Sequence, residues 1–226
     1  MNRLISFIFA LPLALSCTLA ANAQSSCSSD GTRQPTALLE RFINADCETC
    51  WADKQTPEPA SGTLAIDWVT PGLRGDDAPL SAVAALDGGW RLEALGKSVP
   101  ARSSSVFSQR SAGTGGALKL RVAHGLPVND YIGTSIEMRG GGSGPFTAWL
   151  LLVESLPAGT EGTVVDRNLV RNAFSVEWKG AAAKRYEIRP MRIAEGTKPS
   201  RLRVVGWVQD AQGKVRAIAQ SHCSGK

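Results

Sequence analysis

Two cysteines three positions apart, Cys47-Glu-Thr-Cys50, are the residues of this chain best spaced for covalent chemistry. A C-x-x-C pair can close on itself. Where it opens a helix, the first thiol meets free backbone N–H groups and the positive end of the helix dipole, which stabilise a thiolate. In that arrangement Cys47 attacks a disulfide and Cys50, one turn further on, resolves the mixed intermediate. Asp46 and Glu48 flank Cys47, and their negative charge opposes the dipole, which predicts a less acidic thiol. The same spacing serves two other chemistries. One is a static disulfide that pins a loop. The other is a metal site in which Cys47, Cys50, Cys27, Cys223 and His222 offer thiolate and imidazole to Zn or Cu(I). Trp51, Trp68 and Trp90 either line the thiol site, with Trp51 and Trp68 as substrate contacts, or pack in a small core.

Which chemistry applies depends on the compartment. Residues 1–23 carry the pattern of a signal peptide: Asn2-Arg3, an apolar run from Leu4, and Ala21-Asn22-Ala23 as cleavage site, leaving Gln24 first. A retained membrane anchor and lipidation at Cys17 are the competing readings; Ala14-Leu15-Ser16 fits a lipidation motif poorly. The expected location is the periplasm or the exterior. There an even number of thiols points to disulfides, and no metal or other cofactor is expected. Of the five cysteines, Cys27, Cys47, Cys50 and Cys223 remain after cleavage. With Cys47 and Cys50 closed on each other, Cys27 is left for Cys223, a structural disulfide joining the two ends of the mature chain. In the chain-entropy model so long a loop stabilises by about 4–5 kcal/mol.

The elements that position these groups divide the 226 residues into a polar leader (24–35), a mixed segment (36–98), a Ser-, Arg- and Gly-rich linker (99–116) and a β-rich part (117–226). Leu64 to Val69 reads as a buried strand. Residues around Cys47 read as a helix of about two turns, ended by Thr56-Pro-Glu-Pro, and Asp77 to Leu86 as a helix with Pro79 near its start. After residue 117 alternation dominates. Ile132, Thr134, Ile136 and Met138 share one face, Phe146 to Val153 suits a buried strand, and Asp210-Ala-Gln-Gly marks a hairpin. About seven strands with Gly-rich turns predict an antiparallel sandwich.

Several function classes are excluded. A formal charge of +5 without a Lys/Arg block does not point to nucleic acid. No apolar stretch after the leader is long enough to span a bilayer. Gly140-Gly-Gly-Ser-Gly144 lacks the Lys-Ser/Thr ending of a phosphate loop, and neither G-x-S-x-G nor His-Glu-x-x-His occurs. Asp76-Asp77 reads as turn chemistry, and His124 as a surface or turn histidine.

Residues 40–53 resemble the secreted thioredoxin-like proteins whose N-terminal strand, E-L-F-T-S, leads into G-C-S-S-C-P-x-A-D. The matches are Glu40, Phe42, Cys47, Cys50, Ala52 and Asp53, with Trp51 in place of the family's proline. Ile66-Asp67-Trp68, Asn168 to Arg171 and the hairpin from Arg203 to Val215 are looser matches. The resemblance implies an α+β fold, with a reduced thioredoxin-like α/β part packed on the β-sandwich-like domain. It also implies thiol–disulfide exchange by Cys47 and Cys50, with protein thiols or disulfides as partners. The competing class is a non-enzymatic interaction or envelope protein in which this bridge is structural.

Overall fold

The computed structural model describes residues 27–111, 118–180 and 184–223. The expected signal peptide, Cys17 and the cleavage site lie outside the described residues, as does the end of the expected linker. In chain order the strands are β1 (Cys27–Ser28), β2 (Ala37–Asn44), β3 (Thr63–Thr70), β4 (Ser103–Gln109), β5 (Lys119–Val128), β6 (Tyr131–Arg139), β7 (Phe146–Leu156), β8 (Arg167–Trp178), β9 (Lys184–Arg192), β10 (Leu202–Asp210), β11 (Val215–Gln220) and β12 (His222–Cys223). The α-helices are α1 (Glu48–Trp51) and α2 (Leu86–Ala94). Two 3-10 turns, Gly75–Asp77 and Ser81–Val83, lie between β3 and α2.

The strands form two sheets. One has the order β12-β1-β5-β6-β9, the other β11-β10-β7-β8-β3-β2-β4. β7 explains why Phe146 to Val153 is nearly all apolar: the strand is buried on both faces. Ala148, Leu150 and Leu152 enter a core against Val122, Ile136 and Met138 of the five-stranded sheet. Trp149, Leu151 and Val153 enter a second core with Phe42, Trp68 and Leu92 of α2. β10 divides in the same way, Val204 and Val208 to the first core, Val205 and Trp207 to the second. Between them Gly206 is the point of closest approach: a Cβ there would stand 2.8 Å from both Ile136 Cδ1 and Val122 Cγ1.

The expected α+β fold is overturned. Among the described residues the molecule is mostly strand, with two helices, one of them a single turn, and no thioredoxin-like α/β arrangement. The seven-stranded sheet runs through both halves of the sequence, because Asp67 of β3 registers with Leu169 of β8. β2 and β3 are parallel, and β4 returns antiparallel to the other side of β2. The expected helix from Asp77 to Leu86 is replaced by the 3-10 turns, and α2 begins where it was to end. β4 occupies part of the expected linker. The stretch around Cys47 makes one helical turn rather than two.

Candidate functional site

Cys47 and Cys50 are joined by a disulfide. β2 delivers the chain to it: Asn44 accepts from the Asp46 N–H through Oδ1 and from the Cys47 N–H through its carbonyl, at 2.9 Å each, turning the backbone out of the strand. Cys47 stands at the N-cap of α1 and makes no side-chain cap. Four residues align few peptide dipoles, so the thiolate-stabilising field expected there is slight. The Asp46 carboxylate accepts from the N–H groups of Leu73 (2.7 Å) and Arg74 (3.2 Å) in the loop after β3. Gly72 permits that approach, since a Cβ there would lie 2.2 Å from Asp46 Oδ1.

Both cysteines are buried, and Cys50 borders a cleft. Cys47 is 7% exposed and Cys50 4%. They pack with Ile43, Val69, Ala78, Leu156 and Leu169. Trp51 joins this cluster, its Nε1–H donating to the Glu161 carbonyl at 2.8 Å.

Beneath Trp51 lies a buried ion-pair triad. Asp67 accepts from Arg41 through Oδ2 and from Arg167 through Oδ1, both at 2.7 Å, and all three side chains are at most 2% exposed. The Asn168 N–H adds a third donor to Asp67, at 3.0 Å. Burial pushes the Arg167 guanidinium below its ordinary value, and the Asp67 carboxylate opposes that shift. Arg41 also donates to the Pro57 and Asp166 carbonyls. A cleft of about 220 Å³ opens on the Cys50 side of this triad, lined also by Asp53 and the hydroxyl-bearing Ser103, Ser104 and Ser105.

The second bridge joins Cys27 to Cys223, 196 residues apart in sequence. Cys27 registers with Cys223 on one side and with His124 on the other, so the three form a row across β12, β1 and β5. A ligand atom from each lies within 4.8 Å of the others. His124 is in a strand and 5% exposed, not at the surface or in a turn. Burial pushes its imidazole below the ordinary value, the Gly125 carbonyl opposes this, and the Arg203 charge adds to the lowering. His222, the histidine singled out beside Cys223, is exposed.

Of the expected substrate contacts, Trp51 lies beside the Cys47–Cys50 bridge but is 8% exposed. Trp68 is 1% exposed, stacked on Phe42 at 6.1 Å in the second core. Trp90 is 60% exposed on α2. Sequence reasoning missed Arg41, Asp67 and Arg167 as a unit. Charged residues inside β2 and β3, strands otherwise largely apolar, were the available signal, since buried charges occur in pairs.

No family model and no curated protein matches the chain. Among solved structures it is similar to the crystal structure of a domain of the outer membrane lipoprotein Omp28 from Porphyromonas gingivalis. The identity is 10% and the TM-score 0.34, over 50% of this chain and 92% of that one. A likeness of that size carries no argument, and the functional reading rests on the geometry above.

Proposed function

We propose that this chain is a non-enzymatic, exported β-rich interaction protein of the cell envelope, in which Cys47–Cys50 is a structural bridge. The observation that carries this reading is the burial of both cysteines in one apolar cluster. Thiol–disulfide exchange needs an attacking thiolate to reach a sulfur along the S–S axis. Trp51, Leu156 and Leu169 pack around the pair, and Arg167 clamps Trp51 in place. Two bridges among the four cysteines of the described residues suit an oxidising compartment, as does the leader pattern of residues 1–23.

β4 supports the interaction part of the reading. It is the terminal strand of the seven-stranded sheet, with the uncharged sequence Ser-Ser-Ser-Val-Phe-Ser-Gln and Phe107 61% exposed. Edge strands normally carry charges or prolines that discourage pairing. An uncharged edge offers its backbone groups to an extended segment of a partner protein.

The test is to hold the native protein in glutathione buffers spanning oxidising to reducing ratios, block free thiols, and map them by mass. Cys47–Cys50 should stay closed throughout, and the protein should not reduce insulin. Equilibration of this pair in the glutathione range, or insulin reduction lost in Cys47→Ser, would overturn the reading in favour of exchange chemistry.

A further inference from the structure

We propose that Cys27, His124 and Cys223 form a three-coordinate Cu(I) site when the bridge between the two cysteines is in its dithiol form. The placement follows from strand pairing. Residues directly opposite each other in antiparallel strands put their side chains on one face, with Cβ atoms about 4.5–5.5 Å apart. Cys27 is opposite both His124 and Cys223, so it stands between an imidazole and a second sulfur. With metal–sulfur and metal–nitrogen bonds of about 2.3 and 2.0 Å, ligand atoms around a trigonal ion sit about 4 Å apart. The three ligand atoms here lie within 4.8 Å of one another, and breaking the Cys27–Cys223 bond frees the two sulfurs to part to the spacing a bound ion needs.

The imidazole is prepared for this role. Its Nδ1 lies 3.0 Å from the Gly125 carbonyl oxygen, and in the tautomer that donates to this carbonyl from Nδ1–H the lone pair is on Nε2. A backbone carbonyl on one ring nitrogen is the usual outer partner of a metal-bound histidine, fixing the tautomer and the ring plane. Two thiolates and one imidazole are soft donors that suit Cu(I), whereas a structural zinc site requires a fourth ligand.

The site becomes available by a balanced exchange. A vicinal dithiol gives up two electrons and two protons, becoming a cyclic disulfide. The Cys27–Cys223 bond breaks and both sulfurs are protonated. Cu(I) then binds with release of those two protons. Access is from the chain end: Cys223 is exposed, on a two-residue strand at the sheet edge.

The experiment is an anaerobic titration of phosphine-reduced protein with Cu(I) against a competing Cu(I) chelator. It uses the Cys50→Ser variant, so that the C-x-x-C pair cannot supply the site. One equivalent should bind. The oxidised protein should take none, and His124→Asn in the same background should weaken binding at least as much as losing an outer partner does, about 10–100-fold. Nitrogen NMR of the reduced Cys50→Ser protein, labelled at its two histidines, provides a readout that leaves the proposed ligands unaltered. The His124 Nε2 resonance should move with the first equivalents while that of His222 stays. Failure of the reduced protein to compete with the chelator would overturn the proposal, as would copper uptake that leaves the His124 signals unmoved.

Discussion

Arg167 lies over Trp51, its guanidinium carbon 4.6 Å from the ring centroid, and donates to the Trp51 carbonyl at 2.8 Å. One side chain therefore holds both the ring and the backbone of the residue that follows the Cys47–Cys50 bridge. Its other end is anchored by Asp67, which Arg41 shares. The triad thus ties β2, β3 and β8 to the buried disulfide.

Replacing Arg167 by Met leaves Asp67 with one guanidinium instead of two and releases Trp51. Removing one partner from a buried ionic group costs about 3–5 kcal/mol, because the remaining charge is left short of its partners. Denaturant unfolding of Arg167→Met should show a loss of that size. The Cys47–Cys50 bridge should also be reduced faster by a dithiol in the variant than in wild type. An unchanged reduction rate would mean that Trp51 is held by its other contacts alone.

A second buried pair fixes α2. Arg91 donates from Nε and Nη2 to the two carboxylate oxygens of Glu40, both at 2.7 Å, and lies 4.9 and 5.1 Å from the rings of Trp149 and Trp207. Glu40→Leu alone should destabilise by about 3–5 kcal/mol, while Glu40→Leu with Arg91→Met should recover most of it. A double-mutant cycle by denaturant unfolding measures the coupling, and simple additivity of the two single losses would contradict this account.

Burial of His124 gives a defined dependence on pH. The folded state holds this imidazole below its ordinary value of 6.5. On acidification the unfolded chain therefore takes up a proton at this position before the folded one does. The contribution is fully present above about pH 6.5 and is lost as the pH falls from there through the lower folded value. Unfolding free energies measured across that range should fall more steeply in wild type than in His124→Gln. Equal slopes would show that His124 titrates alike in both states.

The two bridges should differ in their order of reduction. Cys223 is exposed at a sheet edge, whereas Cys47 and Cys50 are buried. A limiting amount of dithiol, followed by thiol blocking and mapping, should open Cys27–Cys223 first. Because that bridge joins residues 196 apart in sequence, its loss should lower stability by about 5 kcal/mol in the chain-entropy model. Closure of so short a loop as Cys47–Cys50 contributes only about 2 kcal/mol in the same model. Opening of Cys47–Cys50 first would contradict the burial argument.

What the sequence by itself determined was local. Alternation put Ile132, Thr134, Ile136 and Met138 on one face of β6, where all four are buried. Burial on a single face is written directly into a period-two pattern. The unbroken apolar run of β7 likewise marked a strand covered on both sides. β4 was not legible, because an exposed edge strand of serines has no face to bury and so no pattern. The start of α2 was not legible, because Gly88 and Gly89 are poor helix formers, and Arg91 and Leu92, buried against distant strands, hold it in place.

The surroundings of the cysteines were set only in three dimensions. Spacing allowed Cys47 and Cys50 to exchange electrons or simply to staple a turn, and their burial comes from a cluster shared with Ala78, Leu156 and Leu169, 28 or more residues away. His124 stands beside Cys27 because β1 pairs with β5, across nearly a hundred residues of chain. A strand's residues specify which face they turn inward. Which strand lies alongside is set by the packing of the whole molecule, and that neighbour decides what a sulfur can do.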